Sequence, residues 1–400
     1  MKKTFSPLQR TLVLTCTVIY TAAYICRLNA SAALSGIMGE LSLSMGQAGA
    51  LQTVFAAVYA AGQLVNGVIV DRVNPAKYML LGILGSALCN FMMGFCGAFP
   101  ALIAVWALNA AFQSMMWTPI MRLVALHFKD IQVRERANMM LALTLIVGHF
   151  LAWAISGFLS ARVGWRYSFI VPACVAFAVF AGSVYVLDRS GLCHYEKDVR
   201  AGAAALSGEG TASVLASTGF FLVLITCMLY GFIRDGVVTW TPTILARFAR
   251  DTDIQVTAFT LILPLINTVG VFAGVRLRSM GTNPRYVVAA MMAAAVFCFS
   301  LLIPVGALLP MAMLLGCVCA AMYGANTMLT GLIPMEYDNM GKSGMTAGLV
   351  DAFIYLGSAL AGVLAGGVYD MAGEQMLYLI WIGAAVCCAA MMIVSGKTRK

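Results

Sequence analysis

Apolar stretches of about twenty residues recur along the whole chain. Twelve can be drawn, at approximately 11–36, 47–70, 77–97, 100–127, 138–160, 167–187, 214–246, 255–277, 285–304, 308–335, 344–370 and 375–395. The hydrocarbon core of a bilayer is about 30 Å thick, which a helix crosses in about 20 residues. Inside lipid, every backbone N–H and C=O must find a partner within its own segment, so segments of this length and composition are helices. The pattern therefore predicts an all-α membrane protein of twelve transmembrane helices. The composition agrees. The 400 residues are 62% hydrophobic and 10% charged, against about 25% charge in soluble domains.

The basic start (Lys2, Lys3, Arg10) and the apolar run Thr11–Ile25 have the look of a secretory leader. Similar spans follow to the end of the chain, so this run is read as an uncleaved first helix. An even number of spans puts both termini on one side. Of the 25 Lys and Arg, 18 then fall on that side: at the two ends and in the loops with Arg72/Lys77, Lys129/Arg134/Arg136, Arg189/Lys197/Arg200, Arg276/Arg278/Arg285 and Lys342. The opposite loops hold Arg162, Arg166, Arg247 and Arg250. This asymmetry makes the first side cytoplasmic and predicts a multi-pass protein of a bacterial-type inner membrane. It also explains the net charge of +9 without a nucleic-acid partner, because the excess sits in short loops. Eleven of the twelve cysteines lie in apolar segments, where they act as small fillers.

The longest polar stretch, Asp188–Ser213, divides the chain into six spans and six. The expected organisation is a bundle over 1–187, a cytoplasmic linker over 188–213 and a second bundle over 214–400.

Three arginines remain inside spans: Arg27, Arg122 and Arg234. A charge near mid-bilayer costs roughly 2.5–3.5 kcal/mol, so it faces a partner, a water-filled cavity or a ligand. Arg27 and Arg234 lie in the first span of each half. Tyr20, Tyr24 and Arg27 are spaced to share one helix face, as are Tyr230 and Arg234. Arginine's fork of donors suits phosphate or carboxylate, and tyrosine adds neutral donors. The expected ligand is a small anion. The bland alternative is an internal ion pair, with Asp235 beside Arg234 and Asp351 in the eleventh span as candidate partners. Arg122 lies about six residues from the cytoplasmic end of its span and can snorkel there. Asp351, Asp235 and His149 are the candidate proton-coupling groups. Gly67, Asp71 and Arg72, followed by Asn74-Pro75, read as a cytoplasmic gating latch. Gly270/Gly274, Gly344/Gly348 and Gly362/Gly366 are close-packing seams. The sequence offers no metal-ligand cluster, phosphate loop or nucleophile motif, so neither a metal, a cofactor nor an enzymatic activity is expected.

At these residues the chain resembles the organophosphate:phosphate antiporter family of the major facilitator superfamily. The resemblance rests on Tyr20-Thr-Ala-Ala-Tyr24-Ile-Cys-Arg27-Leu-Asn29, on Gly67 to Pro75, on Phe112-Gln113 with Trp117, Pro119 and Arg122, on Arg234-Asp-Gly-Val-Val-Thr-Trp240-Thr-Pro242-Thr243, on Tyr323-Gly324 and on Tyr355-Leu356-Gly357. It implies two six-helix bundles and a phosphate-binding arginine pair at their interface, falling on Arg27 and Arg234. It implies site tyrosines at Tyr20, Tyr24, Tyr323 and Tyr355. A family lysine falls at Gln63, so Gln63 is expected at the site with less positive charge. The family's fifth-span histidine falls near Val147, which makes His149, two residues on, expected to face elsewhere.

The function implied is exchange of a phosphorylated metabolite for inorganic phosphate by a monomer. Two alternatives are proton-coupled symport of an organic carboxylate or sugar acid, and a transporter-like sensor of a sugar phosphate.

Overall fold

The computed structural model describes residues 5–43, 45–70, 72–194, 218–246, 252–336 and 343–397. Among them there is no strand. The helices are α1 (Pro7–Leu41), α2 (Met45–Ile69), α3 (Pro75–Met93), α4 (Phe99–His127), α5 (Ile131–Arg162), α6 (Tyr167–Arg189), α7 (Thr218–Ala246), α8 (Thr252–Ser279), α9 (Pro284–Leu302), α10 (Leu308–Asn326) and α11 (Ser343–Lys397). Helix α10 runs on through a π-helical segment, Thr327–Leu332, and a last turn, Ile333–Met335.

Gly373 breaks α11. Its φ of 75° lies in the left-handed region that glycine alone enters freely. The two halves of α11 correspond to the eleventh and twelfth predicted spans. Among the described residues, ten helices are long and apolar enough to cross a membrane, with Thr346–Gly362 a shorter apolar stretch. Most of the expected linker, together with Asp71, Arg247, Arg250 and Lys342, lies outside the described residues.

The helix starts follow from local chemistry. Ser6 and Gln9 form a reciprocal capping box with Pro7 at the first helical position of α1. Asn74 caps α3 by accepting from the Ala76 and Lys77 amides, and its own amide donates to the Leu192 and Cys193 carbonyls. Asp130 and Asn283 cap α5 and α9 in the same way.

The chain divides into two compact units, Met1–Ser207 with Tyr337–Ala352, and Gly208–Glu336 with Phe353–Lys400. The start of α11 thus groups with the first unit. In the first unit α1 packs on α5 and α6, α3 on α4 and α6, and α2 on α4. The core there is built from residues such as Leu12, Cys16, Ile19, Ile83, Ile120 and Val124. In the second unit α8 and α9 pack on α10. The predicted Gly270/Gly274 seam is the α8–α10 contact. A Cβ on Gly270 would sit 1.7 Å from the Ala320 carbonyl oxygen, so only glycine permits this approach. Large apolar side chains such as Phe158, Val269, Phe297 and Met313 are exposed on the outer faces. Lipid, not water, is the solvent that such faces suit.

Candidate anion-binding site

In the first unit the site is built around Arg27, buried in the middle of α1. Its Nε donates to Gln113 Oε1 on α4 at 2.8 Å. The guanidinium lies over three rings: Tyr59 at 4.5 Å, Tyr24 at 5.2 Å and Phe55 at 5.5 Å. Tyr59 and Phe55 are one helical turn apart on α2, so a single face of that helix presents both. Cation–π contact at a dry site is worth about 2 kcal/mol and offsets part of the cost of burying the charge.

Gln113 is itself fixed. Its amide donates to the Ala23 carbonyl and to Ser86 Oγ, each at 3.0 Å. The Ser86 hydroxyl donates to Asn109 Oδ1 at 2.7 Å. Asn109 and Asn90 both donate to the Cys26 carbonyl, and Asn29 donates to Asn90 Oδ1 and the Ser168 carbonyl. This buried amide network ties α1 to α3, α4 and α6 around the arginine. A network with its members satisfied holds one geometry, because any shift leaves a buried polar group unpaired at about 1–3 kcal/mol.

The predicted site residues of this unit gather here. Tyr20 and Tyr24 pack edge to face, with ring centroids 5.0 Å apart. Tyr20 also packs on Trp117 of α4. Gln63 is fully buried; its Oε1 accepts from Thr118 at 2.7 Å, while its Nε2 has no partner among the described residues. Asp351, buried at the start of α11, lies within electrostatic reach of Tyr20 and Tyr59, which also feel Arg27.

His149 departs from expectation. It does not face away: its ring lies 5.5 Å from that of Tyr24, and its Nδ1 is 2.7 Å from the Leu145 carbonyl. Val147, the position that matched the family, is the exposed one. Helix α5 is rotated so that Gly148 meets Tyr24 and the next residue, His149, flanks it. Gly67 is buried near Gly348 and Arg72 is exposed, while Asp71 lies outside the described residues. Arg122 is half-buried.

In the second unit Arg234 on α7 repeats part of this plan. It lies over Tyr230, one turn earlier on its own helix, at 5.5 Å, and over Tyr355 of α11 at 5.8 Å. The electrostatics differ. Its Nε and Nη2 donate to the two carboxylate oxygens of Asp235 at 2.6 and 3.0 Å, the two-point pairing that the ion-pair alternative expects. Nη1 donates to Asn326 Oδ1 at 3.3 Å, and the Tyr230 hydroxyl donates to the same oxygen at 3.2 Å. Ser358 donates to the second oxygen of Asp235. Tyr323 is buried on α10, close enough to feel both Arg234 and Asp235.

Tyr59, Phe55, Asn326, Ser358 and the amides of the first unit were not among the predicted site residues. Their signal was present. An asparagine or glutamine in an apolar helix is costly unless it faces a partner, and these sit well inside their spans. Asn326 also stands where α10 passes into its π-helical segment, a departure that often marks a functional position. Among the described residues no group of His, Cys, Asp and Glu is arranged to hold a metal.

Two helical units of membrane-spanning length, each with an arginine over tyrosines in its first span, buried at Arg27 and half-buried at Arg234, define a polytopic membrane protein of the transporter type. The family model of the Major Facilitator Superfamily matches residues 16–362, and the chain belongs to this family. It is a multi-pass membrane protein of a transporter family rather than an enzyme.

Similar proteins include the membrane sensor protein UhpC of Escherichia coli, 24% identical over 377 residues, covering 88% of this chain and 84% of the relative. The phosphoglycerate transporter protein of Salmonella typhimurium is 27% identical over 246 residues, 56% of this chain and 53% of that one. A probable sulfoacetate transporter, SauU, of Cupriavidus necator is 24% identical over 262 residues, 62% and 60%.

Proposed function

We propose that this protein is a secondary transporter of a small organic anion, a phosphorylated metabolite exchanged for inorganic phosphate by alternating access. One observation carries the reading. In each unit the first span holds an arginine within an apolar helix, stacked on a tyrosine of its own helix and a tyrosine of a neighbour. Arg27 and Arg234 are the anion-binding cations. Tyr20, Tyr24, Tyr323, Tyr355 and Gln63 supply neutral donors. The phosphoglycerate and sulfoacetate transporters among the relatives both carry small oxyanions by name, and Gln63 in place of a lysine favours the less charged of such anions. The protein is a monomer in a bacterial inner membrane with both termini cytoplasmic, as the basic loops direct.

The test uses purified protein in liposomes loaded with inorganic phosphate. Labelled phosphate self-exchange should be present, should be competed by one phosphate ester, and should vanish in Arg27→Ala. Absence of exchange and of competition in folded protein would reject it.

A second reading, sensing, is favoured by the extent of the match to UhpC, which covers most of both chains. A sensor would bind the sugar phosphate in the same assay without moving it across the bilayer.

A further inference from the structure

We infer that Asp235 is a tethered stand-in for the transported anion, and that it takes up a proton when the anion displaces it. The inference rests on the anion-transport reading above and names the coupling ion of the same site.

Neighbouring residues on a helix project about 100° apart, so a two-point pair between them needs help from elsewhere. Here that help is visible. Asp235 offers both oxygens to Nε and Nη2 of Arg234, the geometry with which a guanidinium takes a carboxylate or phosphate ligand. Ser358 of α11 holds the carboxylate by donating to it, and Asn326 of α10 holds Nη1. Three helices thus cooperate to keep the fork of Arg234 filled.

An incoming anion cannot occupy that fork while Asp235 fills it. A carboxylate pushed off its guanidinium, half-buried and without that cation, loses what favoured its ionised form and takes up a proton more readily. The proton comes from water on the side of loading and returns to water when the anion leaves and Asp235 re-pairs. Among the described residues, the charged and titratable groups near the carboxylate include Arg234 and Tyr230 on α7 and Tyr323 on α10, with Tyr355 of α11 over Arg234. The tyrosines are neutral donors through the physiological range, whereas a carboxylate released from its cation can change charge.

Were Arg234 a naked cation when empty, the unloaded carrier would pay for an exposed buried charge. With Asp235 in place that charge is compensated in the unloaded site. Loading of either exchanged anion, the metabolite or phosphate, is then coupled to uptake of a proton.

The experiment is calorimetric titration of the purified full-length protein with glycerol 3-phosphate, 3-phosphoglycerate and sulfoacetate. Two buffers of different ionisation enthalpy give the protons taken up per bound anion. Comparing wild type with Asp235→Asn for the same anion cancels the ligand's own titration. Wild type should take up about one proton more per anion than Asp235→Asn, which should bind about tenfold tighter at pH 7.5. Ser358→Ala keeps the carboxylate and removes only the donor that holds it; it should bind about threefold tighter, and it carries the test if Asp235→Asn fails to fold. Equal proton counts, or unchanged affinity in the variants, overturn the stand-in while leaving the anion reading intact. No binding of any of the three anions to wild type or either variant overturns both.

Discussion

Arg27 and Gln113 form one rigid unit across α1 and α4. The guanidinium Nε donates to the amide oxygen at 2.8 Å, while the amide nitrogen is spent on Ala23 and Ser86. The acceptor is a neutral oxygen, so it orients the arginine without adding a charge of its own. Gln113→Glu changes that. A carboxylate there would compete with ligand for Arg27 and would set an anionic oxygen against the Ala23 carbonyl. We expect anion binding to fall by at least tenfold and unfolding stability by about 1–3 kcal/mol, the cost of unpaired buried polar groups. Gln113→Ala should lose stability without gaining the competing charge, and so keep more of its binding. Titration calorimetry beside thermal unfolding separates the two effects.

Arg27→Lys keeps the charge and discards the planar fork. Lysine cannot donate to Gln113 through an Nε and present a second edge at the same time. Anion uptake should drop roughly ten- to a hundredfold, matching about 1.5–3 kcal/mol for a charge-assisted contact. Uptake at the wild-type rate in folded Arg27→Lys would show that the fork is not used.

The rim of the first unit provides a pH-dependent link. Glu40, at the end of α1, accepts from Arg166 at 2.6 Å and from the Trp165 indole at 2.8 Å, and those two donors hold its carboxyl below the ordinary glutamate range. A group lowered on folding stabilises above its unfolded value, and that contribution is lost as pH falls through the lowered one. The protection of the amides at the end of α1, corrected for the intrinsic pH dependence of exchange, should therefore be high at neutral pH and fall only under acid conditions. In Glu40→Gln it should be low throughout. An unchanged exchange profile in that variant would remove the link from the account.

Much of the architecture was legible because lipid permits so few backbone solutions. The apolar spans and the break that becomes Gly373 stood out in the sequence, whereas Asn74, read there as part of a gating latch, proves to cap α3. Spacing put Tyr20, Tyr24 and Arg27 on one face of α1, and Tyr24 lies beside Arg27 as that spacing demands. What could not be read was which residues of other helices meet that face. His149 was expected to point away because a register was assumed for α5, and the close contact of Gly148 with Tyr24 sets a different one. Tyr59 and Ser358 depend on helix rotation in the same way. The pairing of Arg234 with Asp235 was an open alternative, decided by side-chain contacts from α10 and α11 that no local pattern encodes.

The α8–α10 seam gives a packing prediction. Any side chain at Gly270 must push against the backbone of Ala320, which cannot yield as a flexible side chain would. Gly270→Val should force the helices apart and cost about 1–3 kcal/mol, as overpacking does. Gly306→Ala, where a Cβ meets nothing within 4 Å, is the control and should leave the melting temperature unchanged. Equal melting of the two variants would mean that α8 and α10 are not held at this distance.

Asn326 separates the roles of charge and of anchoring at Arg234. Its Oδ1 accepts from both Arg234 and the Tyr230 hydroxyl, just before α10 turns π-helical. Asn326→Ala removes an anchor. Arg234 keeps its hold on Asp235, so anion affinity should fall only severalfold. Asn326→Asp keeps the acceptor but adds a second carboxylate to the fork, and repulsion from Asp235 makes the pair compete for one guanidinium. An incoming anion then has two acids to displace, so affinity should fall by at least tenfold at pH 7.5 and recover at lower pH as one acid is neutralised. Were Asn326→Ala instead the more damaging change, with no recovery on acidification, Asn326 would matter for the shape of α10 and not for the charge at Arg234. Binding titrations of both variants at two pH values decide between these roles.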